Sequence, residues 1–312
     1  MSINTLTRQR DPKEAFHWGK LSSYTPYLFI APLVLLLCTF TFYPYFIGAK
    51  MSLTDAQGIN PGDWVGLANF IELFHNEDFL KSLLHTFYFL FGCFITQIPV
   101  AFILAYILNN VTQRLRGVLR ASFFFPVLIN SVLVALMWRM LSNKDVGAIN
   151  WFLGLLHLPN NLDWIHTAEL CIPLMVMAAF WQWTGYTMVY FLAQLQTIDT
   201  SIYESAKLDG ASPARILRSI VMPMMRPAFI FVMVTSGIGC LMQFEYPFLM
   251  FDNGGYGPGR VAQTAVCFIY WQGFSQQFRL GFATAASWVL FVIVLIFSLA
   301  QIRMVGLGES NE

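Results

Sequence analysis

The sequence predicts an all-α membrane protein with six transmembrane helices. Hydrophobic residues make up 57% of its 312 residues and charged residues only 11%, whereas a soluble domain carries roughly 25% charged residues. The mean hydropathy is +0.58. Six apolar segments are long enough to cross about 30 Å of hydrocarbon. The formal net charge of +1 says nothing about nucleic acid or acidic partners. From the apolar composition we expect membrane lipid around the chain, and we predict no nucleic-acid partner.

The six predicted spans divide the chain into a polar start, a membrane domain and a short tail. Residues 1–24 form the predicted N-terminal segment, 25–303 the transmembrane domain and 304–312 the tail. The first apolar run is not predicted to be a cleaved signal peptide, because it is too long for a 7–15-residue apolar core and no A-x-A site follows it. The spans lie near residues 27–46, 83–108, 121–141, 170–195, 228–251 and 280–302.

The basic residues gather on one predicted face of the membrane. Of 18 Lys and Arg residues, 12 precede the first span, follow the sixth, or lie between the second and third or the fourth and fifth spans. The positive-inside rule places that face in the cytoplasm. We therefore expect a multi-pass protein of the cytoplasmic membrane with both termini in the cytoplasm.

A polar stretch of about twenty residues, Glu204–Pro223, separates the fourth and fifth spans. The segment from Ser201 to Glu204 has the pattern of a capping box, which starts a helix. Gly210 can take a positive φ and end that helix, and Ser212-Pro213 suits the start of a second one. Pro223 and Pro227 would then stop the second helix. The pattern predicts a helix–turn–helix at the membrane surface; the alternative is an amphipathic linker with lipid-facing charges.

The same stretch, ESAKLDGASPARILRSIVMP, resembles the cytoplasmic EAA loop of ABC importer permeases. That loop has E-A-A, three residues, G, nine residues and I-x-L-P. Here Ser205 replaces an Ala, and Met222 replaces the Leu before the proline. The resemblance implies the ABC type I importer permease fold, with a cytoplasmic coupling helix between helices 4 and 5 that docks on an ATPase subunit. The coupling residues implied are Glu204, Ser205, Ala206, Asp209, Gly210, Ala211, Ile220 and Pro223.

The predicted outer loops carry a second resemblance, to sugar importers of the maltose and glycerol-phosphate type. Residues 66–70, G-L-A-N-F, resemble the G-L-x-N-F/Y segment of those permeases, and Asn253-Gly254-Gly255 with Pro258 resembles their G-G-P loop. The G-G-P loop is typical of the larger half of the permease pair. Tyr256 and Gly257 are inserted before the proline, which is a departure from the pattern. The alternative is an ordinary re-entrant turn.

The fourth and fifth spans carry the candidate cargo contacts. The segment from Trp181 to Tyr186 resembles a W-x-G-Y segment that lines the sugar site in that subfamily. Glu245 is a further candidate cargo contact, because an acid inside a span usually faces a cavity or a partner. A structural hydrogen bond from Glu245 to a neighbouring helix is an equal alternative. For the aromatic residues, the alternative to cargo contact is packing in the core or against lipid. The resemblance implies one helix face at Trp181, Thr184, Gly185 and Met188, and a second at Gly237, Cys240, Leu241 and Phe244.

The chain has no phosphate loop of its own. Gly254 and Gly259 have phosphate-loop spacing, but Arg260 and Val261 follow where Lys and Ser or Thr are needed. ATP and Mg are therefore expected on a separate ATPase chain, and this chain has no predicted cofactor, catalytic residue or enzyme activity. Its five cysteines and five histidines show no ligand spacing, so no metal site is predicted.

The resemblance implies a permease subunit of an ATP-driven importer in the bacterial inner membrane. Its expected partners are a second homologous permease, two ATPase subunits and an extracytoplasmic solute-binding protein. The expected cargo is a sugar, oligosaccharide or polyol. Three alternatives stay open: an ion-coupled secondary transporter, the same fold carrying amino acids or ions, and a membrane enzyme or scaffold.

Overall fold

The computed structural model describes residues 21–274 and 278–305. In these ranges every named element is helical, apart from isolated bridges that pair Thr54 with Trp64 and Gln57 with Asn60. The all-α prediction is confirmed. Most of the predicted N-terminal segment 1–24 and of the tail 304–312 lies outside the described residues.

Helices of very different lengths follow one another along the described chain. Two π-helical turns, Cys38–Phe42 and Leu217–Val221, and two 3₁₀ turns, Phe125–Leu128 and Pro258–Arg260, connect some of them. The α-helices are α1 Leu21–Leu37, α2 Tyr43–Met51, α3 Ala68–His75, α4 Glu77–Asn109, α5 Gln113–Phe124, α6 Ser131–Leu141, α7 Ala148–Leu155, α8 Ala168–Leu195, α9 Thr200–Leu208, α10 Pro213–Ile216, α11 Met222–Met224, α12 Arg226–Leu241, α13 Glu245–Met250, α14 Asp252–Gly255, α15 Ala265–Phe274 and α16 Leu280–Val305.

The described residues divide into two compact units, with the boundary between Lys50 and Met51. The first unit is the helical stretch that starts at α1 and passes through a π turn. Its large apolar side chains are exposed, which suits contact with lipid. The second unit contains α3 to α16 and holds both of the sites described below.

Three helical stretches are long and apolar enough to cross a membrane: Tyr24–Met51, Glu77–Asn109 and Leu280–Arg303. Two bent pairs, Gln113–Leu128 with Ser131–Leu141 and Pro213–Met224 with Arg226–Leu241, raise the number to five. Several spans are therefore present among the described residues, while the count of six stays a prediction. The predicted fourth span corresponds to α8. It is 28 residues long, and 14 of them are buried within the protein.

The predicted third span, 121–141, is not one continuous helix. Helices α5 and α6 are bent by 93°. Pro126 lies in the 3₁₀ turn between them, and the side chain of Asn130 accepts a hydrogen bond from the N–H of Val132, 2.8 Å away. A new N-cap directly after a proline restarts the helix in another direction.

The predicted fifth span, 228–251, is also broken. Helix α12 ends at Leu241, and α13 begins at Glu245. Pro247 lies in the first turn of α13, where proline is tolerated because its missing N–H would have no partner within the helix. The Thr264 hydroxyl donates to the Gln243 carbonyl at 2.8 Å, and the Cys267 Sγ lies 3.7 Å from the Phe244 carbonyl oxygen, so the backbone at this break lies beside protein groups rather than in lipid.

Helix α8 lies at the centre of the second unit. Its first half packs in a buried cluster with α4, α6 and α13. Its second half packs in another cluster with α4, α9, α10 and α12. The two ends of α8 are about 42 Å apart at 1.5 Å per residue. The C-terminal end of α8 leads into the polar segment that contains α9, and its N-terminal end lies near α7.

Candidate functional site

The loop between α8 and α12 forms the predicted helix–turn–helix. Helix α9 begins with Asp199 as its N-cap, because the Asp199 carboxylate accepts the N–H of Ser201 at 2.9 Å. That hydrogen bond holds the pKa of Asp199 below its usual value. The predicted capping box at Ser201 and Glu204 is therefore wrong: the cap lies two residues earlier, where an acid can accept a backbone N–H directly.

The turn predicted at Gly210 is present, and two backbone hydrogen bonds close the end of α9 there. Gly210 has φ +78°. Its N–H donates to the carbonyl of Lys207 at 3.0 Å, and the N–H of Ala211 donates to the carbonyl of Ala206 at 2.9 Å. This is the Schellman arrangement, which needs a left-handed residue that glycine adopts without strain.

The second helix starts as predicted and ends differently. The Ser212 hydroxyl accepts the N–H of Arg215 at 3.4 Å, and Pro213 occupies the first turn. Pro223 does not stop the helix. A π turn precedes it, in which the N–H of Met222 reaches the carbonyl of Leu217, and the bend of 64° follows at Met225. The π turn shifts the backbone hydrogen bonds just before Pro223, which has no N–H to donate.

One side of the loop is buried against the protein, and the other side is exposed. Ala206, Ile216 and Val221 are buried in the cluster around the end of α8. Glu204, Ser205, Asp209, Gly210 and Pro223 are exposed, and Ala211 and Ile220 are half-buried. The Leu208 side chain is 89% exposed at the end of α9.

A cavity of about 190 Å³ lies between α4, α8 and α12. Gln97 spans the wall between two of these helices, and its amide donates to the Thr187 hydroxyl at 2.9 Å. The rings of Trp183 and Tyr186 meet edge to face at 6.3 Å. The lining residues are Phe89, Gln97, Ala179, Trp183, Tyr186, Thr187, Thr235, Ser236, Gly239, Cys240 and Gln243.

The residues predicted on α8 face away from this cavity. Thr184 donates to the carbonyl of Phe180. Gly185 lies so close to α5 that a Cβ atom would come within 1.7 Å of the Phe123 carbonyl oxygen. Met188 is buried, and Trp181 packs against the core. Contacts with other helices occupy this face, and the opposite face of α8 lines the cavity, so contact with cargo stays a prediction for these four residues.

On α12 the predicted face is only partly present. Cys240 lines the cavity, Leu241 is fully buried, and Gly237 packs against the ring of Phe297. Phe244 lies beyond the end of the helix. The prediction of one face from Gly237 to Phe244 is therefore wrong, because the helix breaks before the i+7 position.

Glu245 lies at the first position of α13, next to the cavity-lining Gln243. The Gln243 amide donates to the Glu245 carboxylate at 3.2 Å. Sequence reasoning missed Gln97 and Thr187 as cavity residues. Both are polar positions inside apolar helices, and polar residues within spans usually face a cavity or a partner, so a signal for them was available.

A buried hydrogen-bond chain joins both helix breaks to α8. The Tyr246 hydroxyl donates to the Gln182 side-chain oxygen, and the Gln182 amide donates to the Ile129 carbonyl at 2.8 Å. Tyr246 is 0% and Gln182 1% exposed. Gln182 lies in the Trp181–Tyr186 segment, which the resemblance implies lines the sugar site, and its amide could bond a sugar hydroxyl. In the structure its oxygen and nitrogen are both engaged with protein groups.

The two motifs of the predicted outer loops contact neighbouring parts of the protein. Asn69 is buried and donates to the carbonyls of Ser52 and Thr54 at 2.9 and 2.8 Å. Gly254 has φ +67° and lies against Trp271, whose indole N–H donates to the Gly254 carbonyl at 2.8 Å. The inserted Tyr256 stacks on the same indole, with ring centroids 5.4 Å apart.

A charged cluster ties three segments together at the end of α8 opposite the loop. The two ring nitrogens of His166 lie 2.9 Å from the Asp163 carboxylate and 3.1 Å from that of Asp252. Arg139 also pairs with Asp252. The pKa of His166 is raised by its hydrogen bonds to Asp163 and Asp252, and the pKa of Asp252 is lowered, chiefly by the hydrogen bond from His166.

No group of three or more His, Cys, Asp or Glu side chains within residues 21–274 and 278–305 is placed to hold a metal ion. The Cys171 side chain is fully buried, and its Sγ lies 3.4 Å from the Thr167 carbonyl oxygen. This thiol is therefore a small packing group of the core rather than a ligand.

Comparison with known proteins gives consistent matches. Residues 97–305 match the family described as binding-protein-dependent transport system inner membrane component. The arabinooligosaccharides transport system permease protein AraP of Bacillus subtilis (strain 168) is 31% identical over 97% of this chain and 95% of its own length. The lactose transport system permease protein LacF of Rhizobium radiobacter is 30% identical over 88% of this chain and 92% of its own.

The fold also matches a solved structure. A chain in the crystal structure of a bacterial alginate ABC transporter, in complex with an alginate pentasaccharide-bound periplasmic protein, superposes with a TM-score of 0.80. The match covers 92% of this chain and 96% of that chain, at 23% sequence identity.

Proposed function

The chain belongs to the family of binding-protein-dependent transport system inner membrane components, and from that premise we propose that it forms half of the pathway of an ATP-driven carbohydrate importer. Members of this family are membrane permease subunits, so the chain is a transport subunit and not an enzyme. The relatives named above transport arabinooligosaccharides and lactose, which supports a sugar or oligosaccharide as the cargo here.

One observation carries the proposal: the helix–turn–helix at residues 200–224 has a face anchored to the core and an exposed tip that carries both acidic and basic side chains. The anchored face joins the loop to α8 and α12, whose side chains line the cavity. A movement imposed on the exposed tip would therefore pass to the cavity walls through packed side chains. In the proposal Glu204 and Gly210 are central to coupling, with Ser205, Ala206, Asp209, Ala211, Ile220 and Pro223 in supporting contacts.

The energy source and the remaining partners follow from the same premise. We infer that ATP and Mg bind to two ATPase subunits, one beneath each of two such loops. The second loop would belong to a second homologous permease. A periplasmic solute-binding protein would deliver cargo, and the alginate transporter complex contains such a periplasmic protein with a pentasaccharide bound. This arrangement places the loop and both termini in the cytoplasm.

The size of the cavity supports a paired pathway. Ligand pockets usually measure roughly 300–1,000 Å³, whereas this cavity measures about 190 Å³. A second permease facing it would complete the enclosure. Indole and phenol rings can pack against the CH face of a sugar, and the amides of Gln97 and Gln243 can bond its hydroxyls. Phe244 and Glu245 lie at the same end as Gln243 and are proposed contacts of the moving cargo.

The coupling role is tested by two loop variants in the assembled importer. We expect Glu204→Lys and Gly210→Asp to abolish ATP-driven uptake while the chain still inserts and assembles with its permease partner. Gly210 has open space around its Cβ position, so the aspartate places a new charge at the docking surface without crowding this chain.

The matched control is Gly58→Asp. Gly58 also has a positive φ, +54°, and its Cβ position meets only the Phe278 Cβ, 3.9 Å away. It lies outside the loop, so its aspartate adds similar backbone strain and charge elsewhere. Retained uptake in both loop variants would refute the coupling role. Equal loss in the control would assign the effect to strain.

A further inference from the structure

Helix α7 presents an apolar face that no other described part of the second unit covers. The exposed fractions are 70% for Trp151, 53% for Phe152 and 63% for Leu155. Leu155 lies four residues after Trp151 and three after Phe152, so it is a neighbour of both on the helix surface. Leu156 and Leu158 follow directly and are also exposed. We call these five side chains the α7 patch.

The opposite side of α7 is fixed rigidly to the protein. Ile149 and Leu153 pack against the central buried cluster. The Asn150 amide donates to the carbonyls of Lys144 and Leu162 at 3.0 and 2.8 Å, and its oxygen accepts the indole N–H of Trp164 at 2.9 Å. Both polar atoms of this buried side chain are hydrogen-bonded, so α7 is held in one orientation. The α7 patch is therefore exposed in a fixed position.

The α7 patch carries no charge. No Lys, Arg, Asp or Glu occurs between Asp145 and Asp163. The exposed His157 lies between Leu156 and Leu158 and is the one polar side chain within residues 151–158. Protein–protein interfaces are on the whole about as polar as the rest of a protein surface, so a face this apolar suits hydrocarbon better than a soluble partner. A helix of eight residues is about 12 Å long and cannot cross the bilayer.

In the sequence, the patch follows an exposed apolar face on a candidate membrane span. Helix α6 is the second half of a bent membrane-span pair. Its exposed residues Leu133, Leu136 and Met140 share one side of the helix, and the chain passes from Met140 into the turn before α7. Polar residues flank the patch, with Lys144 and Asp145 on one side and Asn160 and Asn161 on the other. Polar flanks beside an apolar face place it at the headgroup boundary.

We propose that α7 is an interfacial anchor, with its patch buried in the acyl–headgroup boundary of the outer leaflet. The choice of leaflet rests on the proposed function. That function puts the coupling loop in the cytoplasm, and α7 lies at the opposite end of α8, so α7 is assigned to the outer leaflet. Trp151 supplies the interfacial aromatic, and the Lys144 ammonium lies where it can meet a lipid phosphate. The anchor would hold the end of α8 at a fixed depth while the opposite end moves with the loop.

The test places a nitroxide label at Phe152 and, in a second variant, at Leu155. Cys38 is replaced by Ser, since the other four cysteines are buried. The importer is reconstituted in nanodiscs of phosphatidylcholine and phosphatidylglycerol, and collision rates with oxygen and with a water-soluble nickel chelate are measured. Met140→Cys serves as the lipid reference and Asn161→Cys as the water reference.

We expect both patch labels to match the Met140 reference, with nickel collisions several-fold below those at Asn161. Nickel collisions as frequent as those at Asn161 would overturn the proposal. So would labels that become shielded only when the binding protein is added, or labels immobilised equally in lipid and detergent, because these results assign the patch to a protein partner.

The leaflet is tested separately in sealed vesicles. A membrane-impermeant thiol reagent should reach Asn161→Cys and Leu208→Cys from opposite sides. Reaction from the same side would contradict the proposed orientation, whereas the depth measurement depends on neither cargo nor ATP. Failure of the anchor and failure of the proposed function are thus distinguishable.

Discussion

Removing one hydroxyl, in Tyr246→Phe, should loosen the joint between the two broken spans and α8. The hydroxyl donates to Gln182, which in turn donates to the Ile129 carbonyl at the α5–α6 break. Both side chains are buried to within 1%. The ring of phenylalanine fills the same volume, so the variant leaves the Gln182 oxygen without its donor and creates no cavity.

The expected loss of stability is about 1–2 kcal/mol. A buried acceptor left without a partner costs about 1–3 kcal/mol, whereas hydrogen bonds between membrane helices contribute about 0.6 kcal/mol on average and up to about 1.7. The expected loss is a factor of about 5–30 in the folded-to-unfolded ratio. The loss in the double variant with Gln182→Leu should be smaller than the sum of the two single losses, since both changes remove the same interaction.

Reversible unfolding in mixed micelles measures these differences, with Tyr88→Phe as the control. The Tyr88 side chain is 53% exposed, so its hydroxyl should contribute within about 0.5 kcal/mol. An effect of Tyr246→Phe no larger than that of the control, or additive effects of Tyr246→Phe and Gln182→Leu, would refute the account of this joint.

Two further predictions concern packing and pH. Gly185→Ala should destabilise the chain by about 1–3 kcal/mol or more, because the new methyl group would meet the Phe123 carbonyl. The control Gly117→Ala, with open space around it, should be neutral or gain up to about 1 kcal/mol; equal effects would contradict the close approach of α5 and α8. The pKa of His166 is raised in the folded state, so its contribution to stability is complete below its ordinary pKa of 6.5 and is lost as the pH rises through the raised value. The stability advantage of the native chain over His166→Gln should therefore shrink as the pH rises above 6.5, and a pH-independent difference would exclude the charged form.

The helix–turn–helix could be predicted from sequence because its signals are local. Ser212-Pro213 and Gly210 act through hydrogen bonds within five residues, and each lies where the pattern placed it. The cap at Asp199 was missed because Ser201 and Glu204 also satisfy a capping pattern, and sequence alone does not rank two neighbouring caps.

The cavity could be predicted less well because it depends on contacts between distant segments. Gly185 fits a sugar-site motif, yet it serves the close approach of α8 to α5. The break after Leu241 rotates Phe244 off the predicted face, and a continuous apolar run conceals such a break. Gln182 was a reasonable cargo contact by residue type, and only the positions of Tyr246 and Ile129 show that its hydrogen-bonding atoms are already engaged.

The most direct test of the proposed function is uptake by the complete importer in proteoliposomes, with and without ATP on the side of the coupling loop. The cargo would be a radiolabelled oligosaccharide selected by thermal-shift screening of the binding protein. We predict accumulation that requires ATP, is unaffected by collapsing proton and sodium gradients, and disappears in Gly210→Asp. Accumulation driven by an ion gradient without ATP, and retained in Gly210→Asp, would contradict the account.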